Sequence, residues 1–152
     1  MSDWGITTKV PAEVVLMEGP VLEGDLHLYA RPTYPPGPET PLEMLNRSDV
    51  FFALTLNGGV TFVHKSQVVV VTCRGQSRMS DPDRLTAAKR IELEVVTQPG
   101  DEFRGQVVAE LPPSRGRTLD FLNGPDAFFE LCAEDVSWYF NKSRIRVARP
   151  LD

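Results

Sequence analysis

The chain is poor in the residues that most protein chemistry requires. Among its 152 residues there are two histidines, His27 and His64, with no HExxH or other paired-histidine spacing, so a histidine-based metal centre is not expected. The two cysteines, Cys73 and Cys132, form no CxxC and no Cys/His ligand spacing, and read as reduced, largely buried thiols. No GxGxxG follows a strand pattern and no GxxxxGK[ST] occurs, which leaves nucleotide binding through a glycine-rich loop without support. The start, MSDWGITTKV, lacks a basic segment followed by an apolar run, and Val68 to Val71 is far short of the ~20 residues that a membrane helix needs. These absences predict a cytoplasmic chain with no cofactor, no metal and no membrane insertion.

What is present suffices for a packed core. Hydrophobic residues make up 41% and charged residues 24%, near ordinary globular usage, which excludes global disorder. The net charge of −5 is unevenly spread. Lys plus Arg against Asp plus Glu gives 4 against 7 over residues 9–73, 5 against 2 over 74–90, and 7 against 11 over 91–152. Two acidic regions therefore flank a basic stretch. Phosphate binding leaves a basic footprint, so nucleic acid is a disfavoured partner, served only by Arg74, Arg78, Arg84, Lys89 and Arg90 or by the row Arg144, Arg146 and Arg149.

The chain also says nearly the same thing twice. LEMLNRSDVFFAL begins at Leu42 and LDFLNGPDAFFEL at Leu119, and at the constant offset of 77 ten of 29 ungapped positions are identical. Among these pairs are Asn46 and Asn123, Phe51 and Phe128, Lys65 and Lys142, and Ser66 and Ser143. Upstream, Gly24 aligns with Gly105, the first copy carrying four extra residues in the proline-rich RPTYPPGPETP. The reading is a tandem duplication: an N-terminal arm over 1–8, a first β repeat over 9–73, a basic linker over 74–90 and a second β repeat over 91–152.

Each copy parses alike. A hairpin opens it, EVVLMEG to VLEGDLHLYA in the first and IELEVVT to EFRGQVVAEL in the second, around Gly19-Pro20 and Pro99-Gly100-Asp101. Thr40-Pro41-Leu42-Glu43 carries a capping hydroxyl, a proline at the first helical position and a carboxylate three residues on, and predicts a two-turn helix. Thr118 is expected to cap its counterpart, and Asn46 and Asn123 to end the helices in a left-handed cap. Asp81-Pro82 marks a short helix start in the linker. Aromatic and β-branched strands follow, with Asn57-Gly58-Gly59 as a hairpin turn and Glu134-Asp135 in its place in the second copy. One of each Phe51-Phe52 and Phe128-Phe129 pair is expected in the core and the other at a contact between repeats. The run QVVVV is apolar on both faces where RIRVA alternates, which predicts that the last strand of the first copy is covered twice, by the second copy or by another subunit.

A hairpin with a strand-interior glycine, a variable insertion, and two strands joined at a Lys-Ser turn resembles the small five-stranded barrels of the SH3 and Sm-like kind. TFVHKSQVVVV is similar to the closing strands of the bacterial Sm-like RNA chaperones, although there the helix stands at the start of the domain and here it lies inside. Each copy is also similar to a group of bacterial domains built on L-x-x-L-N-x-x-x-x-F-F-x-L, which implies no activity. The resemblance implies two tandem Sm/SH3-like barrel or curved-sheet units with pseudo-twofold symmetry.

The duplicated residues are hydrophobic and turn residues, with no duplicated catalytic set. Lys65-Ser66 and Lys142-Ser143 form no Ser-Lys dyad, because neighbours on a strand point to opposite faces. The functional expectation is a non-enzymatic protein-interaction adaptor or scaffold subunit of a bacterial assembly. Its expected partner surface comprises Lys65, Ser66, Lys142, Ser143, Arg144 and Arg146 with the extended loop residues Tyr34, Pro35 and Pro36. Self-association is expected through the strand bearing Val69 and Val71, giving a homodimer. The alternatives are an Sm-like RNA binder and, ranked lower, an enzyme or small-ligand receptor with a polar pocket between the repeats.

Overall fold

The structure, a computed structural model, describes residues 7–31, 34, 36–75, 89–109 and 118–151. Pro35, Arg78, Arg84 and the expected linker helix at Asp81-Pro82 lie outside the described residues. The chain runs β1 (Thr8–Leu16), β2 (Leu22–Leu28), α1 (Pro41–Asn46), β3 (Phe51–Leu56), β4 (Gly59–His64), β5 (Val68–Arg74), β6 (Lys89–Thr97), β7 (Glu102–Ala109), α2 (Thr118–Leu122), β8 (Phe128–Ala133), β9 (Val136–Asn141) and β10 (Ile145–Pro150). Both halves pass through the same order of elements, and in both a 3-10 turn at the Lys-Ser pair separates the last two strands. Arg74 closes β5 and Lys89-Arg90 open β6, so these residues belong to strands rather than to a linker.

The protein is mainly β, and its ten strands form one antiparallel sheet in the order β10-β6-β7-β8-β9-β5-β1-β2-β3-β4. Of the barrel or curved-sheet units expected above, the pairing shows one continuous sheet in place of separate barrels: β5 pairs with β1 of its own half on one side and with β9 of the other half on the other. Nor is the relation between halves a pseudo-twofold. A twofold pairs like with like, whereas this junction joins the last strand of one half to the next-to-last of the other.

Local chemistry accounts for most boundaries. Thr40 and Glu43 form the reciprocal capping box, with Pro41 opening α1. In the second half Thr118 is the first helical residue. Asn57 and Gly58 adopt φ of 51° and 78°, the positive pair that a tight two-residue hairpin needs, and Glu134 at φ 29° starts the equivalent turn. Neither Asn46 nor Asn123 takes the expected left-handed cap: α1 ends on Arg47 in extended geometry, which releases the Asn46 side chain for another task. Gly24 and Gly105 sit where β2 and β7 cross the next strand. A Cβ on them would stand 2.3 Å from the Thr55 carbonyl oxygen and 2.5 Å from that of Cys132, so no other residue fits.

Two apolar clusters stabilise the sheet. The first joins Val14, Leu26, Leu54, Met44, Leu45, Val68 and Val71 to Phe128 and Tyr139 of the other half. The second gathers Leu93, Val95, Phe129, Leu131 and Phe140 with Val69 and Val70. Strands β5, β8 and β9 thus feed both clusters, one face each. Burial of a side chain such as Leu54 or Leu131 contributes about 1.5–3 kcal/mol.

Candidate functional site

The junction between the halves is the most constructed feature of the molecule. Five residue pairs join β5 to β9, from Val70 opposite Phe140 to Arg74 opposite Val136. Val69 and Val71 are therefore buried within the chain, at 2% and 0% exposure, with β1 on one side and β9 on the other. This corrects the expected self-association through that strand: its two-sided apolar character is used up internally.

Side chains extend the junction beyond the ladder. The Asn46 amide accepts from the Phe128 N–H at 2.8 Å and donates to the Phe128 carbonyl at 3.1 Å, imitating one residue of a neighbouring strand. Asn141 donates through Nδ2 to the Lys65 carbonyl at 3.2 Å while its Oδ1 accepts from the Ser143 N–H at 3.1 Å. Arg144 donates through Nε and an Nη to the Ser66 carbonyl at 3.0 and 2.6 Å. A charged fork on one carbonyl is a strong contact for an edge, and it ties the part-exposed Arg144 to the rim of the joint.

The two lysines at equivalent places in the halves, Lys65 and Lys142, have a structural task. Lys65 is buried, and its Nζ donates to the carbonyls of Met44 and Arg47, both at 3.0 Å, at the C-terminus of α1. An ammonium there satisfies orphan carbonyls and meets the negative end of the helix. Lys142 repeats this, donating to the Gly124 carbonyl at 3.3 Å and lying 5.8 Å from the Phe121 ring centre. Burial lowers the pKa of both amines from the usual lysine value. Lys65 is thus no free surface charge, while Lys142 is only half-buried. The two serines close their own turns, Ser66 on His64 Nδ1 and Ser143 on Asn141 Oδ1, each at 2.7 Å through the hydroxyl.

Of the other expected surface residues, Arg146 is exposed and donates to the Gln98 carbonyl. Tyr34 stands at 91% exposure and Pro36 is exposed beside it. Their loop is closed at its base by Arg31 N–H to the Gly37 carbonyl and Glu39 N–H to the Tyr29 carbonyl. Arg149 and Arg104 both donate to Glu94, whose carboxyl they hold below the usual range.

No group of three or more metal-ligating side chains occurs among the described residues. The polar set nearest to catalytic composition is Glu130, Ser137 and Cys132, all buried, in which one carboxylate oxygen accepts from Ser137 at 2.9 Å and from Cys132 at 3.3 Å. It is satisfied internally and none of the described grooves takes in all three side chains. Between the halves there is an open groove of about 300 Å³, lined by Asn46, Asp49, Lys65 and Ser143 among others. His27 is held between the hydroxyls of Thr7 and Thr55 and is buried.

What sequence reasoning missed lies at the two ends of the sheet. Strand β4, the terminal strand on one side, exposes Val60 at 43% and Phe62 at 63%, with Phe51 at 52% and Val50 at 55% beside it. The signal was present in the offset of 77: the counterparts of Val60, Phe62 and Phe51 are Ser137, Tyr139 and Phe128, all buried at the junction. No described helix is long and apolar enough to cross a membrane. Comparison with family models, curated proteins and solved structures gives no match.

Proposed function

We propose that this protein is a non-enzymatic scaffold or adaptor that takes up protein partners by strand addition at the ends of its sheet. The observation that carries the reading is the terminal strand β4, an edge with Val60 and Phe62 outward and Phe51 beside it. Edge strands in soluble proteins are ordinarily blunted by charge, and an apolar one is a template for another strand. Main-chain pairing supplies the affinity of such a contact and the alternate side chains its specificity. The loop tip at Tyr34 is a second, smaller feature that suits a partner.

The Sm-like RNA-binding alternative has less support, since the net charge is −5 and Arg149 is already paired with Glu94. A ligand site between the halves is weaker still, because the groove there is open and two of its polar lining residues, Asn46 and Lys65, serve the joint and the helix end. Free buried thiols at Cys73 and Cys132 suit a reducing compartment such as the bacterial cytoplasm. The test is affinity capture from a native lysate, with and without nuclease, using the wild-type chain and Phe62→Glu. Partners that survive nuclease and are lost with the variant support strand addition; partners lost only with nuclease overturn it in favour of RNA.

A further inference from the structure

We infer that the occupant of the β4 edge is a second copy of this chain, contributing its β10 edge in the same manner that β9 receives β5. This rests on the strand-addition reading and names the partner. The internal junction joins unlike edges, so a chain that uses it once still carries one edge of each kind, β10 at one end of the sheet and β4 at the other. Moving the junction by the offset of 77 sets Val147 opposite Val63, Ala148 opposite Phe62 and Arg149 opposite Thr61 of the second copy. Leu151 turns its N–H inward to the Glu92 carbonyl, so the nitrogen of Pro150 faces the edge, and having no hydrogen it ends that ladder.

The side chains that dress the internal junction have chemically suitable counterparts at the open ends. Asn46, which grips the Phe128 backbone, is matched by Asn123, which is exposed, and Phe128 by Phe51, which is half exposed. Asn141 uses Oδ1 as acceptor from Ser143 N–H and Nδ2 as donor to Lys65 O. At its counterpart, His64, Nδ1 accepts from the Ser66 N–H at 3.1 Å, which leaves Nε2–H as the donor for the Lys142 carbonyl of the second copy. An imidazole thus offers the acceptor and donor that the amide offers, in the same order. The apolar exposure of β4 is explained by the same match, since the positions it leaves in solvent are those that β5 covers on β9.

Because the contact is heterologous, repetition between chains gives a closed ring when the rotation permits and an open filament otherwise. Sedimentation velocity of the full chain is expected to show species above the 16.9 kDa monomer, growing across the micromolar range. Phe62→Glu removes one edge, and Ala148→Pro, or Asn123→Asp where the proline variant does not fold, removes the other. Each variant alone is expected to stay monomeric, and an equimolar mixture of the two to form a single two-chain species. His64→Asn, which installs the internal junction's amide, is expected to preserve assembly. A wild-type chain that remains monomeric, or a mixture that does not pair, overturns the inference. If that monomer still loses a nuclease-resistant lysate partner on Phe62→Glu, strand addition stands with another occupant; if it loses none, both readings fall.

Discussion

Strands β4 and β9 hold the same place in their halves and differ in what lies beside them. On β9, which pairs with β5 and packs Tyr139 into the first apolar cluster, Tyr139 is 1% and Ser137 0% exposed; on β4, Phe62 and Val60 occupy the equivalent positions and are 63% and 43% exposed. Apolar character is therefore kept where the fold itself does not bury it. An isolated exposed apolar residue needs no explanation, but Phe51, Val60 and Phe62 stand at positions whose counterparts Phe128, Ser137 and Tyr139 are all buried.

The contrast can be broken residue by residue. Tyr139→Ala is expected to cost about 4 kcal/mol in urea unfolding, in the range for large buried aromatics, while Phe62→Ala under dilute conditions changes stability by about 0.5 kcal/mol or less. A large loss at Phe62 in a dilute monomer would mean that β4 is already covered within the chain. Next in size, Gly24→Ala and Gly105→Ala each drive a methyl against a backbone carbonyl, and each is expected to lower stability by about 3 kcal/mol. Thermal unfolding of the pair tests whether the two halves are equally intolerant.

Asn46→Ala strands the Phe128 N–H and carbonyl, at a cost of about 2 kcal/mol, whereas Asn123→Ala in the dilute chain falls within about 0.5 kcal/mol. Equal losses at the two asparagines would remove the distinction between used and open ends. Thiol chemistry gives a sharper test without an energy scale. Burial, and secondarily the Glu130 charge, push Cys73 up to about 12, so it is expected to resist iodoacetamide in the native protein at pH 8 and react on unfolding. Rapid native labelling of Cys73 would show the junction opening.

The smallest effect belongs to the first half alone. Burial, then Lys9, lower the pKa of His27 below the ordinary 6.5, with Asp25 opposing. The unfolded chain then binds the proton more readily. Stability from the neutral imidazole is full above the ordinary value and declines as pH falls below it, and urea midpoints at pH 7.5 and 5.5 should differ less in His27→Gln than in the wild type.

Short-range chemistry was legible in the sequence and long-range pairing was not. The two hairpins, the Thr40–Glu43 box, the Asn57-Gly58 turn and the breaks at Lys-Ser all depend on residues a few positions apart, and the structure contains each of them. The double burial of β5 was legible too, as was one ring per face in each Phe pair. The strand that covers β5 was not, because nothing local distinguishes β9 from β10 as its neighbour. Lys65 misled for a related reason: a lysine beside a serine at a turn reads as solvated, and only the folded chain brings the Met44 and Arg47 carbonyls, 21 and 18 residues back, within reach of Nζ. Asn46 reads as a helix terminator, and its grip on Phe128 spans 82 residues.

A sheet that joins unlike edges has a direction, as an arrow does. Its first and last strands do not sit symmetrically on it: β1 lies in the interior of the strand order and β10 at one tip. Leu151 therefore stands at the tip, beside the outer edge of β10, whereas Thr8 opens the strand fourth from the other end. A tag joined after Leu151 is thus attached at the arrow's head, next to the edge that β10 leaves open.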